Sequence, residues 1–141
     1  MAREVADQGM PDPGRDVALS DLQIALMRVL WRREEASVAD IAAVLGDERG
    51  LKYTTVATLL TRLEKRGVIE QRRDGRQLIY RARVSEPQVR RSMVADLIGS
   101  LFGGDASALV AHLVSESEIA PGDVERVRKR LAAAPARRTK S

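Results

Sequence analysis

The sequence predicts a mostly α-helical chain carrying one small β-hairpin. Three observations lead there. Apolar residues recur at helical spacing in three short runs between residues 20 and 66. The period then switches to alternation around Asp74-Gly75, a strong short-range hairpin signal. Beyond residue 84 the helical period returns.

Each element follows from local chemistry. Residues 1–18 are polar, with Gly9, Pro11, Pro13 and Gly14, and are expected to be a flexible lead. Ser20 stands three residues before Gln23, a capping-box spacing. Leu22, Ala25, Leu26, Val29 and Leu30 then share one face, predicting a first helix over 20–33 with Trp31 in the core. Ser37 and Asp40 mark a second start, Val38, Ile41, Ala42 and Leu45 its face, and Gly46 its stop. Thr54 or Thr55 is expected to cap a third helix whose buried stripe is Val56, Leu59, Leu60 and Leu63. Gly67 ends it, after Lys65 and Arg66 at the negative end of the helix dipole. Residues 68–73 and 76–81 are the expected strands.

Ser85 is the expected cap of a fourth helix, with Pro87 in its first turn. Val89, Met93, Leu97 and Leu101 repeat on one face, with Val94 and Ile98 beside them, until Gly103-Gly104 breaks the helix. A fifth helix is expected over 106–114. A sixth starts near Pro121 and carries Val124, Val127 and Leu131. The expected segments are therefore the lead 1–18, a helical and hairpin domain 19–84, a helical segment 85–131, and a basic disordered tail 132–141.

Composition excludes several classes of function. Of 141 residues, 44% are apolar and only 3% aromatic, enough for an aliphatic core. There is no cysteine, which removes disulfides, thiolate metal sites and cysteine nucleophiles. His112 is the one histidine, so a His-rich zinc site is excluded; a lone histidine here reads as a surface or interface residue. No Gly-rich phosphate loop and no acid–base pair with catalytic spacing is present. An enzyme, a metal and a cofactor are thus not expected. No apolar run approaches the roughly 18 residues of a membrane span. The first residues lack the apolar stretch of a signal peptide. A cytoplasmic location with no membrane partner is expected.

The charge distribution points to a ligand. Residues 1–51 hold 6 basic and 10 acidic residues, net −4, and residues 84–131 hold 6 and 7, net −1. Residues 52–83 hold 9 basic and 3 acidic, net +6. A localised basic patch is the footprint of a polyanion binder. Three helices followed by a basic hairpin outline a winged helix-turn-helix, in which the third helix enters the major groove of double-stranded DNA. With the apolar stripe turned inward, Thr54, Thr58, Thr61, Arg62 and Lys65 face outward. Threonine can address base edges, and Arg62 and Lys65 can reach phosphates. At the hairpin tip Arg72, Arg73 and Arg76 are placed to grip the backbone or a minor groove.

Residues 19–31, LSDLQIALMRVLW, and 53–67, YTTVATLLTRLEKRG, resemble the penicillinase-repressor family (BlaI/MecI/CopY). Residues 101–104, LFGG, with 109–114, LVAHLV, resemble its C-terminal part, so the likeness spans 18–131. It implies a repressor that binds a palindromic promoter operator as a homodimer, with recognition helices in successive major grooves. It also implies that Thr54, Thr55, Ala57 and Thr58 lie closest to DNA and that Arg62 contacts the backbone. Some relatives carry arginine where Ala57 stands. The resemblance further implies that the C-terminal helices make the dimer interface, here Val89, Met93, Leu97, Leu101, Leu109, Leu113, Val127 and Leu131. Independently, residues 85–131 are too few to bury a core alone, and a second copy is the simplest cover. In the antibiotic-responsive branch a membrane sensor protease signals and the repressor is cut. Position matching puts that bond at His112–Leu113, where the Asn-Phe pair of other members is missing. The copper-responsive branch uses a C-terminal cysteine cluster, which this chain lacks.

Two other readings compete. A winged helix can be a protein-interaction module, but its third helix and wing would then be apolar or acidic, and here they are basic. A DNA-binding activator or architectural protein would share every feature above.

Overall fold

The computed structural model describes residues 17–116 and 118–133. The expectations for residues 1–16 and 134–141 lie outside the described residues. The elements run α1 (Asp21–Arg33), β1 (Ala36–Ser37), α2 (Val38–Arg49), α3 (Tyr53–Lys65), β2 (Ile69–Asp74), β3 (Gln77–Ala82), α4 (Glu86–Phe102), α5 (Ala106–Ser115) and α6 (Asp123–Ala133). The chain is mostly helical with a three-stranded antiparallel sheet of order β1-β3-β2.

The caps explain where the helices begin. The Ser20 hydroxyl accepts from the Gln23 amide, and the Gln23 side chain accepts from the Ser20 amide, closing the expected box. Ser37 caps α2 through the Asp40 amide at 3.1 Å. Ser85 and Gln88 exchange the same reciprocal bonds before α4. Two expectations fail. Helix α2 runs through Gly46 to Arg49, because the left-handed turn that ends it falls on Gly50, at φ 68°. Helix α3 starts at Tyr53 with Lys52 at the cap position and no side-chain cap bond, so neither Thr54 nor Thr55 caps it.

The hairpin also sits one residue later than expected. Asp74 pairs with Gln77, leaving Gly75 and Arg76 as the two-residue loop. Gly75 takes φ 65° and Arg76 does not share a positive φ, which fits a II′ turn with glycine first. Strand β1 is an addition to the expected elements. Its two residues, Ala36 and Ser37, pair with Tyr80 and Ile79, tying the hairpin to the α1–α2 connection.

A first compact unit runs to Asp96, past the boundary expected at residue 84. Its aliphatic core holds Leu26, Met27, Leu30, Ile41, Leu45, Val56, Leu60, Leu63, Val68 and Ile69, with Tyr80 beside them. Val17 and Leu19 join this core, and the Val17 amide donates to the Ser92 hydroxyl at 2.7 Å. The end of the supposed lead is therefore tied down by apolar burial. Trp31 is only half-buried; its Nε1 donates to the Val84 carbonyl at 2.9 Å.

A second unit opens at Leu97. Gly103 and Gly104 turn the chain out of α4, and Asp105 caps α5 by accepting from the Ser107 and Ala108 amides. Phe102 and His112 rings lie 5.8 Å apart. Among the described residues of this unit none is buried. Among the described residues no single helix is long and apolar enough to cross a membrane.

Candidate nucleic-acid interface

Helix α3 has two faces of opposite character. Val56, Leu59, Leu60 and Leu63 are buried in the core, which fixes the helix rotation. Thr54, Thr58, Thr61, Arg62 and Lys65 are exposed as a consequence. Thr55 and Ala57 are half-buried at the edges of that face. The Thr58 hydroxyl donates to the Thr54 carbonyl at 3.0 Å, and the Thr61 hydroxyl to the Ala57 carbonyl at 3.1 Å. With its proton so used, a threonine offers an outside group an oxygen acceptor and a methyl. That suits adenine or cytosine amines and the thymine methyl better than it suits phosphate.

The N-terminus of α3 adds two features that sequence reasoning missed. Tyr53, placed in the connection from sequence, is the first residue of the helix and 59% exposed. Lys52 makes no side-chain cap bond to the first amides of the helix, which lie at the positive end of its dipole. A cap residue signals itself in sequence; a missing cap does not.

Strand register sorts the wing arginines. Arg73 pairs with Leu78, and Gln71 with the buried Tyr80, so Arg73 shares the inward sheet face that meets α3. Gln71 confirms the direction: its Nε2 lies 2.8 Å from both carboxylate oxygens of Glu64 on α3. Burial, and then the charge of Glu64, raises the Tyr80 phenol above its ordinary pKa. Arg72 points the other way, into a bond with Glu35 at 2.7 Å. Arg76 is exposed in the loop itself. Of the three arginines expected at the tip, Arg73 lies on the sheet face that meets α3, Arg76 is exposed in the loop, and Arg72 is on the opposite face, held by Glu35.

The residues expected at a dimer face fall into three groups. Val89 is 4% exposed and Met93 half-buried, both packed in the core of the first unit. They are spent within the chain, because the start of α4 belongs to that unit. Leu109 and Leu113 are half-buried within the second unit. Leu97, Leu101, Val127 and Leu131 are exposed, as are Val110, Val114 and Val124, which were not among the residues expected at the interface. The His112–Leu113 bond lies inside α5, and the His112 carbonyl accepts from the Glu116 amide at 2.9 Å. A protease that binds extended chain must unwind that turn first. Among the described residues no group of three or more His, Cys, Asp or Glu could hold a metal.

Comparison with known proteins places this geometry. The penicillinase repressor family model matches residues 19–133. A methicillin resistance regulatory protein MecI of Mammaliicoccus sciuri is 25% identical over 113 residues, 80% of this chain and 92% of that protein. A penicillinase repressor of Staphylococcus aureus is 22% identical over 114 residues, 81% of this chain and 90% of that protein. Among solved structures, the DNA binding domain of the repressor BlaI matches half of this chain and 85% of its own, at 24% identity and a TM-score of 0.47. The chain belongs to the penicillinase repressor family, a family of transcriptional repressors and not of enzymes.

Proposed function

We propose that this protein represses transcription by binding a palindromic promoter operator as a homodimer. One observation carries the reading. Helix α3 is locked by its buried leucines so that threonine, arginine and lysine face out, beside Arg73 and Arg76 of the wing. In this reading Thr54, Thr58 and Thr61, with Thr55 and Ala57 at the margin, read bases in the major groove. Arg62, Lys65, Arg73 and Arg76 hold phosphates. Membership of the penicillinase repressor family supports this role for the chain.

The second unit supplies the dimer. It exposes Leu101 at 68% and Leu131 at 72%, and buries nothing of its own among its described residues. Apolar surface of this kind is covered by a partner, and a second copy brings two α3 helices to two half-sites. Affinity then depends on the dimer through effective concentration, so separating or cutting this unit releases DNA. The upstream signal would come from a membrane sensor protease or a step below it, acting on a cytoplasmic protein.

The test is selection of duplexes from a random library by the full-length protein, followed by titration at two salt concentrations. A shared palindrome bound by two chains, weakening steeply with salt, is the expected result. Binding without any shared sequence would replace the operator with an architectural role. No binding would overturn the reading in favour of a protein-interaction module.

A further inference from the structure

The outer face of the sheet carries charged side chains of alternating sign. Arg72, Ile79 and Ser37 lie in one cross-strand row, and Glu35, two residues before Ser37, shares their face. Arg72 meets Glu35 through two nitrogens, Nη2 at 2.7 Å and Nε at 3.3 Å. On the same face Glu70 lies 3.4 Å from Arg81 and is also 3.6 Å from Arg83. Three of the nine cations in the basic window are therefore bound to carboxylates. Glu34 turns the chain from α1 into β1 at φ 71°, the only positive φ of a non-glycine residue among those described. That costly turn is what delivers Glu35 to the sheet. The Arg72 hydrogen bond, with weaker help from Arg81, holds the Glu35 carboxyl below its ordinary pKa, so it is ionised at neutral pH.

We propose that Glu35 limits the sequence-blind affinity of this protein for DNA: it holds Arg72 on the outer sheet face and so withholds one cation from the DNA backbone. The inference rests on the DNA-binding reading above. Phosphate attraction is blind to sequence, and each added phosphate contact tightens binding to all DNA alike. A repressor must find one site among a great excess of others, and surplus phosphate affinity lengthens its stay on every wrong one. Arg73, one residue along, faces α3 and stays available; Arg72 reaches a phosphate only by giving up both bonds to Glu35.

The test uses full-length protein and a fluorescent mixed-sequence duplex, with binding followed by anisotropy across a salt series. E35Q keeps the side-chain shape and removes the charge. It should bind roughly three- to tenfold tighter at low salt, with the plot of log affinity against log salt steeper by about 0.9. The double variant E35Q/R72Q should return to the wild-type slope. An unchanged or shallower slope in E35Q would overturn the proposal. So would a double variant that keeps the gain, since the gain would then come from the lost negative charge alone. Circular dichroism at the assay temperature checks the helical fold; an unfolded E35Q would make Glu35 structural and also overturn it. Wild-type protein that binds no duplex would defeat the DNA-binding reading itself, an outcome distinct from a wild type that binds and an E35Q that matches it.

Discussion

Gln71 on the wing and Glu64 on α3 are joined side chain to side chain, the amide nitrogen 2.8 Å from each carboxylate oxygen. The bond ties together the two elements proposed to touch DNA. Gln71→Ala should cost less than about 1 kcal/mol of stability, because the bond is near solvent. DNA affinity should fall more than stability does, and hydrogen exchange in β2 and β3 should quicken. Equal losses in affinity and stability would deny the bond a positioning role.

Thr58 and Arg73 should fail in different ways. Thr58→Val keeps the methyl and removes the oxygen, so base preference should relax while the salt slope stays. Arg73→Ala should leave preference intact and reduce the slope by about 0.9, the loss of one phosphate contact. Selection from a random library and a salt titration separate the two.

Leu60 is 1% exposed at the centre of the core. Leu60→Ala should destabilise the first unit by about 2–5 kcal/mol, as large-to-small core changes do. Urea denaturation followed at Trp31, the single tryptophan, reads it. Gly75→Ala is a smaller case. Nothing lies within 4 Å of the added carbon, so the cost is the positive φ alone, about 1 kcal/mol.

Leu131→Asp should leave the first unit folded and give a monomer in sedimentation. Operator affinity should then drop by about tenfold or more through lost effective concentration. A dimer that survives both Leu131→Asp and Leu101→Asp would place the interface elsewhere.

Asp105 gives a pH dependence. Its carboxylate accepts from the Ser107 hydroxyl and from the Ser107 and Ala108 amides, which holds its pKa below the ordinary value. A depressed carboxyl pKa stabilises the folded form above the unfolded pKa and loses that contribution as pH falls through the folded one. The start of α5 should therefore fray only in acid. An NMR titration of the Ala108 amide should show a midpoint below that of a free aspartate; an ordinary midpoint would contradict the cap.

Much of the fold was legible because helix caps and apolar periods are local. Ser20, Ser37 and Ser85 marked three helix starts, and the Val56–Leu63 stripe fixed the rotation of α3. The misreadings share a cause. Ala36-Ser37 is too short to show alternation, so β1 was invisible, and with it the partner of β3. Asp74-Gly75 signals a turn without stating which residue begins it, and one step of the loop gives every strand residue a new cross-strand partner, Arg72 meeting Ile79 in place of Gln77. Which arginine meets α3 follows from alternation: Arg73 shares the face of Gln71 and of the buried Tyr80, and Arg72 takes the other. Val89 and Met93 fit a helical stripe, but a stripe does not say whose surface it meets.

Trp31, through its bond to the Val84 carbonyl, pins an indole beside the last residue before the Ser85 cap of α4. The protein therefore has a built-in optical reporter at the root of α4, inside its first compact unit. Any event that moves the root of α4, whether occupancy of DNA or loss of a partner, changes the surroundings of that indole. Its emission can be followed without attaching a label.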